Sequence, residues 1–453
     1  MAQEMFRPPV NRAMKTLDRT FFHKHIPISA ARVLSNSNIS NIRSQLDRSK
    51  DSLTLSRYQN VKPDPSPEGA GKRCVLLRPQ VNDQGQEWPW TPLVEQLQNE
   101  NLIKVIPYSL NLDYNYWTYH DIASAILPCE KDDEIPSGFQ IVGHIAHLNL
   151  RDQFLPYKHL VGELILDKNP GIRTVINKID DVGEESEYRT FKYEVLAGEH
   201  DMNAELKEQA CIFRFDYSKV YWNSRLNTEH ERLVSLFKEG EAVCDVMAGI
   251  GPFALPAGKK RVFTWANDLN PESFKHLKSG IRLNKVHDFV EPFNEDGHTF
   301  IKRAAMELAK AERTVTVRLA TPDQPRPAKG NPAKTIEKQL VQPKYFSHFV
   351  MNLPATALNF LPDFVGLYDA ETRALLPADM PMPMIHCYCF DTKSPDNVEE
   401  TIRICEKISA LIGFEITPDT PETTVWDVRD VSNNKRMNCA SFRLPREVAF
   451  RDM

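Results

Sequence analysis

Residues 244–253, CDVMAGIGPF, decide the fold of the C-terminal half of this chain. An apolar run that ends at Asp245 leads into Gly249 and Gly251, and glycines permit a tight strand-to-helix turn that a ligand can approach closely. Asp245 at the strand end is placed to attract a cationic group. The third glycine of a Gly-x-Gly-x-x-Gly pattern is absent, so a pyrophosphate is disfavoured here. The stretch predicts an adenine-nucleoside site, with a purely structural turn as the alternative.

Two acidic residues follow the next strands along the chain. Asp268 lies 19 residues after Gly249, where a carboxylate can accept both ribose hydroxyls of an adenosine. It could instead cap the following helix, although Asn270 is better placed for that role. Asp296-Gly297 is either an adenine contact or a polar turn. Because the strand ends of an open α/β sheet meet at one edge, these features together predict an adenosyl-cofactor site.

Strand–helix alternation from about residue 230 predicts a parallel, doubly wound α/β sheet. The predicted strands are residues 242–248, 261–269, 290–296, 346–353 and 382–390. The chain then ends in TVWDVRDVSNN and KRMNCASFRL, two strands around an Asn-Asn-Lys turn. A terminal antiparallel hairpin on a parallel sheet departs from a dinucleotide-binding domain. It is typical of Rossmann-like class I methyltransferases.

The N-terminal half has another pattern. Strand patterns around one amphipathic helical pattern predict an α+β middle domain over residues 131–218, with a mostly antiparallel sheet. We predict a small N-terminal domain over 16–130 and a methyltransferase domain over 219–453. Residues 1–15 are interpreted as a flexible tail or a targeting segment. Residues 313–344 are rich in Pro, Lys and Gln and predict a flexible insertion between the third and fourth strands.

The composition is that of an ordinary soluble globular protein, with 453 residues, 41% hydrophobic and 26% charged. No apolar run approaches the roughly 18–20 residues of a membrane span. The eight cysteines form no Cys-x-x-Cys pair, which argues against a zinc or redox site and predicts buried reduced thiols. The net charge is −5, yet residues 1–60 and 301–350 each hold ten Lys/Arg against four Asp/Glu. Such patches bind phosphates or are ordinary solvated surface.

Polar residues also end other predicted elements. Asn352-Leu-Pro354 closes the fourth strand, and an Asn side chain offers a donor and an acceptor to a purine edge. Upstream, Arg225, Glu229 and Arg232 are four and three residues apart. On a helix these three share a face, so a surface salt-bridge ladder is the ordinary interpretation.

An ordered set of motifs gives a more specific indication. The motifs are GHIAHLNL, LDKNPGIRTVINKID, EVLAGE, VYWNSRLNTEHERL, DVMAGIGPF, NDLNPES, LNKV, EDG and NLPATALNFL. In this order they closely resemble eukaryotic tRNA (guanine-N1)-methyltransferases, which modify the guanosine on the 3′ side of the anticodon. The resemblance runs from about residue 70 to 445 and more weakly back to about residue 16.

The resemblance implies a monomer that uses S-adenosyl-L-methionine to methylate N1 of guanosine 37 in tRNA, which is also the first step toward wybutosine. It implies Glu229 as general base and Arg225 as the motif arginine. It also implies Arg189, otherwise a solvated strand residue, as the catalytic arginine. Asn352 and Pro354 would place the guanine. The same matching assigns the cofactor site to His230, Asp268, Leu269, Asp296, Gly297 and Asn352, beside the glycine turn.

The chemistry fits these residue types. Guanine N1 carries a proton and is a poor nucleophile at neutral pH, so a carboxylate that removes the proton promotes attack on the methyl group. An arginine near O6 can stabilise the charge that develops there. Ser224 stands where relatives often have proline, and the 313–344 insertion departs from the compact pattern.

Two other functions remain open at this stage. A sister enzyme of the wybutosine pathway transfers the aminocarboxypropyl chain of the same cofactor, although it commonly lacks Asn-Leu-Pro. An inactive RNA-binding protein could also retain the fold. Relatives act in the cytoplasm, the nucleus and the mitochondrial matrix. The acid-poor, Arg-bearing first 50 residues loosely suit a transit segment, so all three compartments are expected.

Overall fold

The computed structural model describes residues 2–81, 86–128, 135–179, 188, 190–320 and 335–452. The chain forms two compact units. The first comprises Met1–Phe139, Ala146–Lys178 and Glu194–His200, and the second comprises Gln140–Ile145, Ile179–Tyr193 and Asp201–Met453. The predicted domain boundaries after residues 130 and 218 do not coincide with these units and stay predictions.

A four-stranded antiparallel sheet organises the first unit. It contains β1 (Lys24–Val33), β2 (Val61–Pro63), β3 (Arg73–Leu76) and β4 (Ile103–Leu112) in the order β2–β3–β1–β4. The accompanying helices are α1 (Ala2–Met5), α2 (Ile39–Arg48), α3 (Pro92–Asn99) and α4 (Tyr119–Ile126). Met14, Leu17 and Phe22 are buried in the core of this unit. Residues before β1 are therefore already packed into the core of this unit.

Short strands around one helix occupy residues 140–216, as the α+β prediction requires. They are β5 (Gln140–Val142), β6 (Ile145–Leu148), α5 (Lys158–Lys168), β7 (Thr174–Lys178), β8 (Tyr193–Gly198), β9 (Asn203–Glu208) and β10 (Cys211–Asp216). Strands β9 and β10 form an antiparallel hairpin. Gln209 and Ala210 at its tip both have positive φ, which a two-residue loop between right-twisted strands favours.

The second unit is built on a seven-stranded mixed sheet. Its strands are β11 (Ala242–Asp245), β12 (Phe263–Asn267), β13 (Val290–Phe293), β16 (His348–Met351), β17 (Met384–Thr392), β18 (Thr424–Ser432) and β19 (Lys435–Arg443). The order is β13–β12–β11–β16–β17–β19–β18. The first five are parallel, and β19 is antiparallel to both of its neighbours. The predicted parallel sheet with a terminal hairpin is confirmed.

Helices connect these strands. They are α6 (Asn227–Leu236), α7 (Ala254–Lys259), α8 (Pro271–Asn284), α9 (Gly297–Lys310), α10 (Ala370–Leu375), α11 (Val398–Ile412) and α12 (Arg446–Ala449). Strands β11, β12 and β16 are buried along their whole length, as apolar runs in a sheet covered on both faces must be. Strand β11 pairs on one side with β12, the next strand in sequence, and on the other side with β16, which comes later in the chain. This reversal opens a crevice at the carboxyl ends of β11 and β16.

The segment 313–344 corrects one prediction. Its two ends form β14 (Thr314–Ala320) and β15 (Thr335–Val341), which pair antiparallel in unbroken register from Thr314↔Val341 to Ala320↔Thr335. Val315 and Leu340 are buried in the sheet core. Alternating apolar residues at both ends, overlooked beside the Pro and Lys content, produce this pairing. Residues 321–334 lie outside the described residues.

The described cysteines agree with the prediction of reduced thiols. Seven are free and buried: Cys74, Cys211, Cys244, Cys387, Cys389, Cys405 and Cys439. Burial raises the pKa of Cys74 to about 11 and that of Cys389 to about 12, which keeps these thiols protonated and unreactive. Within the described ranges, no helix is both long enough and apolar enough to span a membrane.

Candidate active site

A pocket opens where the sheet reverses direction. Its walls come from the β11–α7 turn, the ends of β12 and β16, and the start of α6. It brings together seven residues that the sequence assigned to a ligand: His230, Gly249, Asp268, Leu269, Asp296, Gly297 and Asn352. The tertiary structure thus gathers residues spread over more than 120 positions of sequence into one cavity.

The two glycines of the turn have different roles. Both have positive φ, 57° at Gly249 and 92° at Gly251, where other residues are strained. A Cβ on Gly249 would meet no atom within 4 Å, because this residue faces the open pocket. A Cβ on Gly251 would lie 2.8 Å from Leu277 Cδ1. Gly249 therefore leaves room for a ligand, whereas Gly251, which does not line the pocket, allows α7 to pack on α8.

Asp268 is held by two backbone amides. The Gly249 N–H donates to Oδ2 over 2.8 Å, and the Asn270 N–H donates to Oδ1 over 3.0 Å. Burial raises the pKa of Asp268 although these bonds favour its anion. Asn270, not Asp268, caps α8 by accepting from the Glu272 N–H. The Asp268 carboxylate therefore does not cap α8, and it lines the pocket.

Asn267 was missed by the sequence analysis. Its Nδ2 donates to the carbonyls of Val246 and Glu295 over 3.1 and 3.0 Å, and its Oδ1 accepts from the Glu295 N–H over 2.9 Å. One buried amide thus fastens the ends of β11, β12 and β13 together beside the pocket. An Asn at the end of the apolar run FTWAN was the available signal.

An aromatic pair lies near the start of α9, and one of its rings, Phe360, lines the pocket. Asp296 caps this helix by accepting from the His298 N–H over 2.7 Å. The His298 ring stacks on Phe360, with centroids 3.9 Å apart and an interplanar angle of 13°. A Cβ on Gly297 would lie 2.9 Å from Phe360 Cε1, so glycine lets the ring approach the backbone. A flat wall of this kind suits a planar base.

Asp245 does not line the pocket. It is fully buried at the end of β11, and neither carboxylate oxygen has a hydrogen-bond partner among the described residues. Burial, and then the charge of Asp268, raises the pKa of Asp245 well above its ordinary value. The sequence-based role of attracting a cation stays a prediction.

Glu229 is buried rather than solvent-exposed, which corrects the salt-bridge ladder interpretation. It is 4% exposed, and Arg232 holds it with two hydrogen bonds, Nε to Oε2 and Nη2 to Oε1, each 2.6 Å long. Tyr388 Oη also donates to Oε1 over 2.7 Å. No ion pair joins Arg225 to Glu229 in the described part of the chain. Burial works against the charge of Arg232, but its bonds to Glu229 raise the pKa of that guanidinium overall.

Glu229 lies on the helix that borders the pocket, although it is not itself a lining residue. The preceding turn and the next residue of the same helix, Leu226 and His230, both line the cavity. The His230 ring packs edge-on against Phe253 at 4.9 Å, and Phe253 lies 6.1 Å from the Tyr388 ring. His230 Nδ1 is 2.6 Å from Glu208 Oε1 within the core. Neither Glu208 nor Tyr388 was singled out from the sequence, because each meets its partner only through the tertiary fold.

The remaining predicted residues are distributed around the pocket. Asn352 lines it at the end of β16, whereas Pro354 is buried just beyond and accepts from the Phe390 N–H through its carbonyl. Arg225 is exposed and does not line the cavity. Arg189 lies outside the described residues. Ser224, in place of proline, donates to the Ile141 carbonyl over 2.8 Å and accepts from Trp222 Nε1, so its hydroxyl fixes the turn.

Two arginines, Arg225 and Arg429, lie close enough to interact with each other, and Arg429 also interacts with Tyr221, which lines the pocket. Arg429 lies on β18 beside a register shift, or bulge, between Asp427 and Arg429. Burial lowers the pKa of Arg429, and the nearby charge of Arg225 lowers it further. Among the described residues, neither arginine has a carboxylate within ion-pair distance. Bulges commonly redirect side chains beside active sites, and adjacent unpaired cations suit an anionic ligand. Within the same described ranges, no cluster of His, Cys, Asp or Glu could hold a metal ion.

The fold and the site define a class I methyltransferase. The model of the TRM5/TYW2 methyltransferase domain matches residues 204–316, and that of the TYW2 N-terminal domain matches residues 119–201. Within this class, the chain belongs to the family of tRNA (guanine(37)-N(1))-methyltransferases. It is 49% identical to the enzyme of that name from Aspergillus fumigatus over 99% of this chain and 96% of the relative. It is 50% identical to that from Neurospora crassa, over 98% and 95%.

Solved structures share the fold at lower identity. Trm5b from Pyrococcus abyssi superposes with a TM-score of 0.55 at 20% identity, over 92% of this chain and 99% of the other. The aTrm5 chain from a complex with tRNALeu gives a TM-score of 0.57 at 17% identity, over 92% and 100%. These likenesses show that the fold is shared over most of the chain.

Proposed function

We propose that this enzyme transfers a methyl group from S-adenosyl-L-methionine to N1 of guanosine 37 in tRNA. One observation carries the proposal: a pocket lined by a ribose-type carboxylate, Asp268, and a base-type amide, Asn352, is bordered by the helix that carries the buried carboxylate of Glu229. Relatives that are 49% and 50% identical to this chain, over 99% and 98% of its length, are named for this activity. A tRNA complex of a structural neighbour supports tRNA as the partner.

The pocket residues fit the adenosyl part of the cofactor. The Asp268 carboxylate, oriented by the Gly249 and Asn270 amides, accepts the ribose hydroxyls. Exposed Leu269, the Phe360 ring and Asp296 line the same pocket and offer two apolar contacts and one polar contact to the adenine. Gly249 permits close approach to the backbone. When bound, the cofactor supplies an electrophilic methyl group on a sulfonium.

The acceptor side uses groups that read and activate a guanine. The base leaves the anticodon loop stack to reach such a pocket, as enzymes that modify bases require. The Asn352 amide offers a donor and an acceptor to the guanine edge, while buried Pro354 keeps this strand end rigid. Glu229 takes the N1 proton as N1 forms its bond to the methyl carbon. The role of Arg189 at O6 follows from the resemblance alone.

Nucleoside mapping tests this function. Purified protein is incubated with methyl-labelled S-adenosyl-L-methionine and a tRNA transcript that has guanosine at position 37. A matched transcript with adenosine at that position serves as control. We expect N1-methylguanosine in the first digest and no labelled product in the second. A product that carries the much heavier aminocarboxypropyl group would replace the proposal by the sister activity, and no product at all would favour a non-catalytic RNA-binding protein.

A second experiment tests the base. Glu229→Gln should remove most methyl transfer in single turnover and leave cofactor affinity near that of the wild type. Unchanged single-turnover rates across a pH series would exclude Glu229 from proton removal. We also propose that the protein is a monomer, which light scattering tests. We further propose that it is distributed over cytoplasm, nucleus and mitochondrial matrix, which fractionation of cells tests.

A further inference from the structure

The hydrogen bonds of Glu229 are distributed unequally between its two oxygens. Oε1 accepts from Arg232 Nη2 at 2.6 Å and from Tyr388 Oη at 2.7 Å, whereas Oε2 accepts only from Arg232 Nε at 2.6 Å. A carboxylate has about four acceptor positions, two on each oxygen. Both positions of Oε1 are therefore filled within the protein. Among the described contacts, Oε2 keeps one position open.

The two donors come from parts of the fold that cannot shift easily. Tyr388 is fully buried in the middle of β17 and lies opposite Cys439 of β19 in the antiparallel register. Arg232 is one helical turn from Glu229, and its guanidinium lies 5.0 Å from the Trp426 ring of β18. Strand β17 and α6 thus supply the two donors to the carboxylate, and β18 of the terminal hairpin packs against Arg232. Such support fixes a rotamer to the precision that proton transfer needs.

We propose that Tyr388 and Arg232 are positioning residues that occupy Glu229 Oε1 and direct Oε2 toward the acceptor base. The inference rests on the proposed function and deepens it. In the transfer, the N1–H bond breaks and its proton moves to Oε2. The N1 electron pair forms the bond to the methyl carbon, and the electrons of the sulfur–methyl bond stay on sulfur. Tyr388 and Arg232 keep their protons throughout. Burial, followed by the interactions with Cys439 and Glu229, raises the pKa of Tyr388. Burial lowers the pKa of Arg232, but its bonds to Glu229 raise that pKa overall.

The same domain contains a matched control. Tyr368 is also fully buried, and its hydroxyl has no hydrogen-bond partner among the described residues. Removing that hydroxyl changes a buried tyrosine without touching Glu229. Tyr368→Phe therefore reports what loss of a buried hydroxyl does to folding alone, and Tyr388→Phe adds the loss of the bond to Oε1.

A double-mutant cycle tests the proposal. Single-turnover methyl transfer is measured for wild type, Tyr388→Phe, Glu229→Gln and the double variant, with Tyr368→Phe as control. We expect Tyr388→Phe to slow transfer about tenfold, with cofactor and tRNA dissociation constants and thermal midpoint near wild type. Tyr368→Phe should keep the wild-type rate. Because Tyr388 acts through Glu229, the double variant should be no slower than Glu229→Gln alone.

Each other outcome has a separate meaning. Losses that multiply in the double variant would overturn the proposal, because Tyr388 would then act independently of Glu229. An unchanged rate for Tyr388→Phe would also overturn it. A wild-type rate for Glu229→Gln would instead refute the general base in the proposed function. Arg232→Lys, which keeps the charge but not the two-bond geometry, should slow transfer in a well-folded protein and thereby separates orientation from charge.

Discussion

The backbone N–H of Gly249 donates to Oδ2 of Asp268 over 2.8 Å, so the glycine turn and the second strand end are joined by a direct hydrogen bond. The bond fixes one oxygen of a carboxylate whose other oxygen is held by the Asn270 amide. The turn therefore does more than leave space for a ligand. It orients the group that is proposed to bind the ribose.

Replacement of Asp268 should weaken cofactor binding most. Asp268→Ala removes a charged acceptor for the ribose hydroxyls, so we expect the dissociation constant of S-adenosyl-L-methionine to rise by roughly 10- to 100-fold. Isothermal titration calorimetry measures it. Glu272→Gln, at an exposed ion pair with Lys275 in the next helix, is the control and should bind normally. Equal affinity of the two variants would contradict the ribose role.

Substitution of Gly249 should mainly affect cofactor binding, whereas substitution of Gly251 should mainly affect the free energy of unfolding. Gly249→Ala places a methyl group in the pocket and should weaken cofactor binding, with about 1–2 kcal/mol lost from folding through positive φ. Gly251→Ala adds a clash with Leu277 and should lower the free energy of unfolding by a further 1–3 kcal/mol or so. Calorimetric titration and urea unfolding of both variants check this. The same loss of stability in both would contradict the division of roles.

Arg429 should contribute to tRNA binding without touching the cofactor. Arg429→Ala removes one of two interacting cations that have no carboxylate partner among the described residues, so tRNA affinity should fall by about 3- to 10-fold, and the slope of log affinity against log salt should decrease by about one. Filter binding over a salt series measures both. Lys275→Ala, an exposed cation on α8, is the matched control. An unchanged salt slope in Arg429→Ala would exclude a phosphate contact.

Acid should destabilise the protein through His386. This residue is 1% exposed, with Nε2 3.0 Å from His348 Nδ1 and Nδ1 2.8 Å from Ser441 Oγ. Burial, followed by the charges of His348, Arg232 and Arg443, lowers the pKa of His386 well below its ordinary value of 6.5. Below about pH 6.5, the unfolded chain therefore binds a proton at this histidine, whereas the folded chain does not. The contribution of neutral His386 to the free energy of unfolding is fully present above about pH 6.5 and decreases below it.

Urea unfolding measured at pH values from about 8 to 5.5 checks this direction. The free energy of unfolding should decrease with a slope that approaches about 1.4 kcal/mol per pH unit for one such proton. His386→Gln should flatten the slope, while exposed His287→Gln should not. A slope unchanged by His386→Gln would assign the acid sensitivity to other groups.

Residues 321–334, which connect β14 to β15, should be dispensable for folding. Ala320 and Thr335 are directly paired, so a two-residue Asn-Gly turn can replace residues 321–334 and close a hairpin in the same register. The shortened protein should keep its thermal midpoint and its affinity for S-adenosyl-L-methionine. A drop in tRNA affinity alone would assign the removed basic residues to RNA binding, and a loss of cofactor binding would contradict the expectation.

Much of the fold could be predicted because it depends on local pattern. Apolar runs such as AVCD and FTWAN predict buried strands, and Asn270 before Pro271 predicts the start of α8, as observed. The insertion was predicted less well. Its strand ends have alternating apolar residues, but their Pro- and Lys-rich surroundings dominate the composition, and only pairing between the two ends reveals the strands.

The sequence by itself determined the parallel sheet, the terminal hairpin and most of the strand-end residues that line the pocket, because glycines and acids at strand ends are constrained by neighbours close in the chain. Only the tertiary structure decided that Glu229 is buried and which side chains donate hydrogen bonds to it. Helical spacing placed it beside Arg232 but did not show that the pair is buried. Tyr388, its third contact, lies 159 residues away. Such a contact depends on sheet order, which brings β17 and the terminal hairpin against α6, and no local pattern encodes it.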